Sequence, residues 1–178
     1  MKRTIMVMVV CAFALGTFGC KQEQKQPQVS YTGAPQAAMP TTMQFDQLQQ
    51  AAKASPKNAQ AWIDLGNAYM DAQRFEEAVD AYGKGLALDP KNVNVLVDQG
   101  TCYRGIGKFD KAVEQYRKAL KIDPNFPNGH RNLAVVLAYD LHKRDEGLKE
   151  FRKYIEVAPN APDAERVKQA IQELSSGK

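Results

Sequence analysis

The chain has 178 residues, of which 44% are hydrophobic and 25% are charged, and this composition is ordinary for a globular protein. It excludes a disordered, collagen-like or disulfide-scaffold chain. The net charge of +4 comes from basic and acidic residues that alternate along most of the chain. A nucleic-acid-binding protein would gather its positive charge on one face, so we expect no nucleic-acid partner.

The chain begins with the pattern of an export signal. Lys2 and Arg3 precede an uncharged, mostly apolar run of fifteen residues, from residue 4 to residue 18. Such a run is too short to cross a hydrocarbon core about 30 Å thick. A short basic start followed by a short apolar run is typical of a secretory signal peptide, which we assign to residues 1–19.

The residues at the end of this signal resemble those of a bacterial lipoprotein. Gly19 is followed directly by Cys20. The resemblance implies that the chain is cleaved after Gly19 and that Cys20 then carries fatty acyl groups, as diacylglycerol and palmitate. Thr17 and Phe18 stand where the family usually has Leu and a small residue. Cleavage by the ordinary signal peptidase and an uncleaved anchor therefore stay open as alternatives.

Residues 20–43 predict a disordered tether. They are rich in Gln, Pro, Thr and Ala and show no apolar periodicity, so they cannot bury enough surface to offset the entropy of ordering. Of the three cysteines, Cys11 would be cleaved away and Cys20 acylated, which leaves Cys102 without an intrachain partner. We expect Cys102 to be a buried small hydrophobe and the fold to depend on its core alone.

The remainder of the chain is repetitive. Four prolines at positions 56, 90, 124 and 159 are spaced 34, 34 and 35 residues apart. Within each unit, apolar residues recur at three- and four-residue steps, which in the first unit predicts helices over 59–72 and 75–88. The residues that define the first unit are Trp62, Leu65, Gly66, Tyr69, Ala78, Tyr82 and Pro90.

This 34-residue pattern resembles the tetratricopeptide repeat. The resemblance implies an all-α fold, a right-handed superhelical solenoid of antiparallel helix pairs. We assign residues 44–178 to this domain and expect one extra residue in the third inter-helix turn, near Leu141–Arg144. Its parts are repeats at about 59–92, 93–126 and 127–161 and capping helices at about 44–54 and 162–175.

No residues form a pattern typical of catalysis. His130 replaces the first-helix Trp and is expected to be packed or partly exposed, whereas His142 is expected to be solvated. No His, Cys, Asp and Glu spacing matches a metal site and no Gly-rich phosphate loop is present. We therefore predict neither an enzyme nor a protein with a cofactor or metal.

The resemblance places function on the concave surface formed by the first helices, where repeat positions 2, 5, 9, 12 and 13 commonly face a bound peptide. Amides at position 2 suit the backbone of an extended peptide, and Arg104 and Arg131 could recognise a carboxylate. Ile63 and Asp98 depart from the carboxylate-clamp subgroup, which grips chaperone C-termini. The predicted groove residues are Gln60, Ile63, Asn67, Met70, Asn94, Val97, Thr101, Arg104, Asn128, Arg131 and Tyr139.

The leading hypothesis is a membrane-tethered scaffold lipoprotein that binds a protein or peptide in this groove and assists assembly of a cell-envelope complex. The alternative is a self-associating structural repeat protein, a homo-oligomer without a separate client. Lys21, rather than Asp, follows Cys20. By resemblance to enteric lipoproteins, this predicts the outer membrane facing the periplasm.

Overall fold

The computed structural model describes residues 42–176, so the predicted signal peptide, Cys20 and nearly all of the predicted tether lie outside the described residues. The described part contains eight α-helices, one π-helical turn and no strand. The helices are α1 (Thr42–Ala54), α2 (Ala59–Asp71), α3 (Phe75–Leu88), α4 (Val93–Gly105), α5 (Phe109–Ile122), α6 (Pro127–Val135), α7 (Arg144–Val157) and α8 (Ala164–Ser176), with the π turn at Val136–Asp140.

The helices pack as pairs that follow the repeats. Helices α2 and α3, α4 and α5, and α6 and α7 form the three pairs, and each pair also packs on the next through its second helix. Helix α1 packs on α2 and helix α8 packs on α7, at the two positions predicted for caps. The all-α solenoid predicted from the sequence is confirmed.

The Pro-Lys-Asn sequences between repeats start the following first helix. The Asn58 side-chain oxygen accepts a hydrogen bond from the Gln60 N–H at 3.0 Å, and that of Asn92 accepts one from the Val95 N–H at 3.2 Å. Each asparagine is therefore an N-cap that satisfies a backbone donor with no partner within the helix. In the third repeat Pro127 occupies the first helical position instead.

Within each repeat, the chain reverses through a residue with positive φ. These residues are Gln73, Gly107 and His142, with φ of 57°, 72° and 55°. In the first repeat, the N–H of Arg74 donates to the Tyr69 carbonyl at 2.8 Å, which satisfies a carbonyl at the end of α2. The N–H of Lys108 donates to the Tyr103 carbonyl in the same way, so the same motif ends the first helix of the first two repeats.

The third repeat takes up its extra residue inside its first helix, which corrects the predicted location near Leu141–Arg144. The π turn lies at Val136–Asp140, before the reversal. The N–H of Lys143 consequently donates to Leu137, six residues back, at 2.7 Å, where the first two repeats span five residues. The helix accommodates the residue because a π turn adds one residue per turn without exposing backbone groups.

Paired helices approach closely at glycines that face an aromatic ring. A Cβ on Gly66 would lie 2.6 Å from the Tyr82 ring, and one on Gly100 would lie 2.5 Å from the Tyr116 ring. Both tyrosines are essentially fully buried. Gly85, where the repeat pattern usually has Ala, similarly leaves room for Ile63. No helix among residues 42–176 has the length and apolarity needed to cross a membrane.

Candidate functional site

Three amide side chains occupy the same place in successive first helices. Gln60, Asn94 and Asn128 are the second residues of α2, α4 and α6, and all three are exposed. Gln60 donates to Asp64 at 2.7 Å. Among the described residues, no side-chain hydrogen bond engages Asn94 or Asn128, so their amides are available to a ligand. We call Gln60, Asn94 and Asn128 the amide ladder.

The next polar groove positions are partly committed to internal hydrogen bonds. Asn67 accepts a hydrogen bond from the Tyr82 hydroxyl at 2.8 Å. Thr101 lies 3.3 Å from the Tyr116 hydroxyl, and its hydroxyl oxygen accepts from the Asn132 amide at 3.4 Å. These bonds connect the first helices to the buried tyrosines and fix the orientation of their side chains.

The two arginines predicted to bind a carboxylate already hold carboxylates of this chain. The Arg104 guanidinium lies 2.5 Å from Asp140, whose side chain is 9% exposed. That of Arg131 lies 2.8 Å from Asp163. Both aspartates are more than 30 residues away in sequence, so repeat position alone could not identify them. Carboxylate recognition by these arginines is therefore not available without breaking an internal pair.

Asp163 is held from two sides. In addition to Arg131, the Tyr154 hydroxyl donates to its other oxygen. Burial acts to raise the pKa of Asp163, but the hydrogen bonds from Tyr154 and Arg131 outweigh it and lower the pKa. The same burial and contact raise the pKa of Tyr154 to about 12. The network joins α6, α7 and the start of α8.

Two of the predicted groove residues lie in the core, which corrects their assignment. Ile63 is 8% exposed and Val97 is 2% exposed. Ile63 is drawn inward by the space that Gly85 leaves, and Val97 packs within the cluster of the second and third repeats. An apolar residue gains more from this burial than from lining a wet groove.

Met70 and Tyr139 are intermediate cases. The Met70 sulfur lies 3.7 Å from the Tyr82 hydroxyl. Tyr139 packs edge-on against Phe151 with the ring centroids 6.3 Å apart, and burial together with Glu173 raises its pKa. Both are half-buried and can offer an apolar edge to a ligand.

Asp98, which departs from the carboxylate-clamp pattern, is a further charged residue on the first helix of the second repeat. It lies one turn before Cys102 on α4 and is half-buried. Burial, with repulsion from Asp71, raises the pKa of Asp98 to about 6. Cys102 is fully buried, as predicted, and burial and then Asp98 raise its pKa to about 12.

The remaining candidates for chemistry are dispersed. Within the described residues, no group of three or more His, Cys, Asp and Glu is placed to hold a metal ion. His142 is exposed in the third reversal, as expected of a solvated residue, and His130 is buried. The polar surface of the first helices, with the amide ladder on it, is the candidate site that this geometry leaves.

Comparison with sequence families agrees with the repeat pattern. The family described as tetratricopeptide repeat matches residues 59–92, and a second TPR repeat family matches residues 100–138. Models of the tetratricopeptide repeat thus recognise two stretches of this chain. These two TPR matches cover most of the first and second helix pairs and reach into the π turn of the third. A search of curated proteins found no match.

Solved structures show the same TPR fold. A crystal structure of MamA aligns with a TM-score of 0.69 at 21% identity, over 76% of this chain and 79% of that one. The first TPR domain of Spaghetti (RPAP3), bound to the HSP90 peptide SRMEEVD, aligns at 0.61 and 22% identity, over 67% and 91%. The Arabidopsis OM64 TPR domain aligns at 0.62 and 17% identity, over 67% and 98%. At these identities, the likeness shows the fold.

Proposed function

We propose that this protein is a non-enzymatic, membrane-tethered scaffold whose first helices form a groove that binds an extended segment of a partner protein. The observation that carries the proposal is the amide ladder, three exposed amides at equivalent positions of α2, α4 and α6. An amide both donates and accepts hydrogen bonds, so the ladder suits a peptide backbone regardless of its side chains. The TPR domain of RPAP3, a protein of the same fold, has a peptide bound to it.

The internal ion pairs indicate that such a partner does not bind through a terminal carboxylate. Because Arg104 and Arg131 are neutralised by Asp140 and Asp163, the groove offers no ready cationic pocket for a C-terminal carboxylate. Ile63 also replaces the basic residue of the carboxylate clamp, as the sequence analysis noted. We therefore propose that the partner binds through backbone and apolar contacts along an internal segment rather than through its terminus.

Simultaneous replacement of Gln60, Asn94 and Asn128 by Ala tests the groove. Crosslinking in intact envelopes, followed by mass spectrometry, identifies the captured partner. We expect the amount of partner captured by the triple variant to be at least about tenfold lower than with wild type. The matched control replaces Gln169 and Gln172, two exposed amides on α8, and should capture the partner like wild type. Equal capture by the triple variant and wild type would show that the ladder does not bind the partner.

The anchor is a separate part of the proposal, supported by the lipoprotein-like residues before Cys20. We propose acylation of Cys20 and a location at the outer membrane facing the periplasm. Metabolic labelling with a radioactive fatty acid should label wild type and leave Cys20→Ser unlabelled. Fractionation of the two membranes gives the location, and label retained in Cys20→Ser would contradict the anchor.

A second candidate function is self-association. Leu88 and Ile122 lie 34 residues apart at equivalent repeat positions and are 43% and 42% exposed. Light scattering of the purified protein at high micromolar concentration separates the two functions. A monomer supports the scaffold with a separate client, whereas a concentration-dependent oligomer that Leu88→Gln and Ile122→Gln abolish supports self-association.

A further inference from the structure

Trp62 and His130 occupy the same repeat position and make the same hydrogen bond. The Trp62 indole N–H donates to the Pro56 carbonyl at 3.1 Å. The His130 Nε2 lies 2.8 Å from the Pro124 carbonyl, which is also six residues back. A carbonyl oxygen can only accept, so His130 Nε2 carries a proton and replaces the indole donor.

The other ring nitrogen also faces an acceptor. His130 Nδ1 lies 2.7 Å from the Glu150 carboxylate, and the two side chains are only 10% and 20% exposed. A neutral imidazole has one N–H, and Nε2 already uses it. A hydrogen bond at this distance therefore requires a second proton between Nδ1 and the carboxylate oxygen.

We propose that His130 and Glu150 form a proton-dependent latch that holds α6 on α7 and on the turn at Pro124. With the proton present, the ring donates in both directions and ties three segments together. When the proton leaves, Nδ1 and the carboxylate become two facing acceptors that are withdrawn from water, and the contact becomes repulsive. Histidine is the side chain whose protonation changes near neutral pH, so we expect the latch to weaken as the pH rises.

The surroundings assign this proton to the pair. Within residues 42–176, Glu150 is the titratable group hydrogen-bonded to the ring. On the preceding turn, Asp123 accepts the N–H of Asn125, and on α6 the Arg131 guanidinium is paired with Asp163. On α5 and α7, the helices packed against α6, Lys121 and Lys149 are exposed.

Glu150→Gln tests the latch in the full chain. The amide of Gln can donate to Nδ1 of a neutral ring, so the contact persists without the second proton. We expect hydrogen-exchange protection in α6 and α7 of wild type to fall by about tenfold between pH 5.5 and pH 8 relative to this variant. The matched control is His142→Asn at the other histidine, where Asn tolerates the positive φ, and it should show the pH dependence of wild type.

Nitrogen NMR of the wild-type ring provides an independent readout that does not depend on the variant folding. Protons on both Nδ1 and Nε2 of His130 at pH 6 are the expected result. A ring that carries only the Nε2 proton at pH 5.5, with its resonances unchanged up to pH 8, would overturn the proposal. Identical pH profiles of protection in wild type and Glu150→Gln would also overturn it.

Discussion

At the scale of single residues, the charged form of Asp98 destabilises the folded protein. Its pKa is raised from 3.8 to about 6 because burial and then Asp71 disfavour the charge. The folded state thus binds the Asp98 proton more tightly than the unfolded state does. The resulting penalty begins near pH 4, grows until about pH 6 and persists at higher pH.

We predict that Asp98→Asn stabilises the protein at neutral pH. Since one pH unit corresponds to 1.36 kcal/mol, we expect the free energy of unfolding to rise by about 1–3 kcal/mol at pH 7.5 and the gain to vanish below about pH 4. Urea unfolding at both pH values measures it. Asp64→Asn is the matched control, because Asp64 is the exposed equivalent one repeat earlier, and a change there as large as at Asp98 would contradict the explanation.

Part of the candidate site could be predicted from the sequence. Repeat spacing alone identifies the exposed position of Asn94 and Asn128, because a position on a helix face repeats with the 34-residue unit. It does not reveal that Arg104 is already paired, because Asp140 lies 36 residues away and reaches it through the π turn. Long-range ionic partners depend on packing, which the repeat pattern does not encode.

At the scale of elements, the close packing of paired helices depends on which positions are occupied by glycine. A Cβ on Gly147 would lie 2.6 Å from the Ala138 Cβ and 2.8 Å from the Ala138 backbone nitrogen. A Cβ on Gly83 would meet only the Gln99 amide, at 3.5 Å. The first contact involves backbone that cannot yield cheaply, and the second is ordinary van der Waals contact.

We therefore predict opposite effects for two chemically identical substitutions. Gly147→Ala should destabilise by about 1–3 kcal/mol through overpacking. Gly83→Ala should stabilise by about 0.5–1 kcal/mol, since alanine favours the helix and the unfolded chain loses freedom. Thermal or urea unfolding of the two variants measures both, and a shared sign would contradict the packing argument.

The helices themselves are the part of the fold that the sequence predicts best. The first pair was predicted at 59–72 and 75–88 and lies at Ala59–Asp71 and Phe75–Leu88. Apolar spacing is a local signal, so it predicts these helices without knowledge of the packing. The π turn was missed because its cause, one extra residue, has the same sequence signature in a helix as in a loop.

At the scale of the whole molecule, the closing helix is tied to the third repeat by a shielded ion pair. The side chains of Arg131 and Asp163 are 11% and 14% exposed, and Tyr154 donates to the same carboxylate. Because its pKa is lowered in the fold, Asp163 stabilises the protein above about pH 4, and this contribution is lost as the pH falls further.

Asp163→Asn should loosen α8 from the stack. Breaking a shielded ion pair by removing one of its charges is strongly destabilising, and we expect a loss of roughly 3–5 kcal/mol at pH 7. Hydrogen exchange should show the loss first in α8. Glu165→Gln is the matched control, because its pair with Lys168 is exposed and should change stability by less than about 1 kcal/mol. Unchanged protection of α8 in Asp163→Asn would refute this role.

The π turn also sets the angular phase of the residues that follow it. Each residue of an α-helix advances by about 100° around the axis, and the wider π turn takes up one extra residue within a single turn. Asp140, the last residue of the turn, thereby faces Arg104 across two repeats. The extra residue of the third repeat is therefore taken up beside the carboxylate that neutralises Arg104, so the surface at this junction presents a neutral pair.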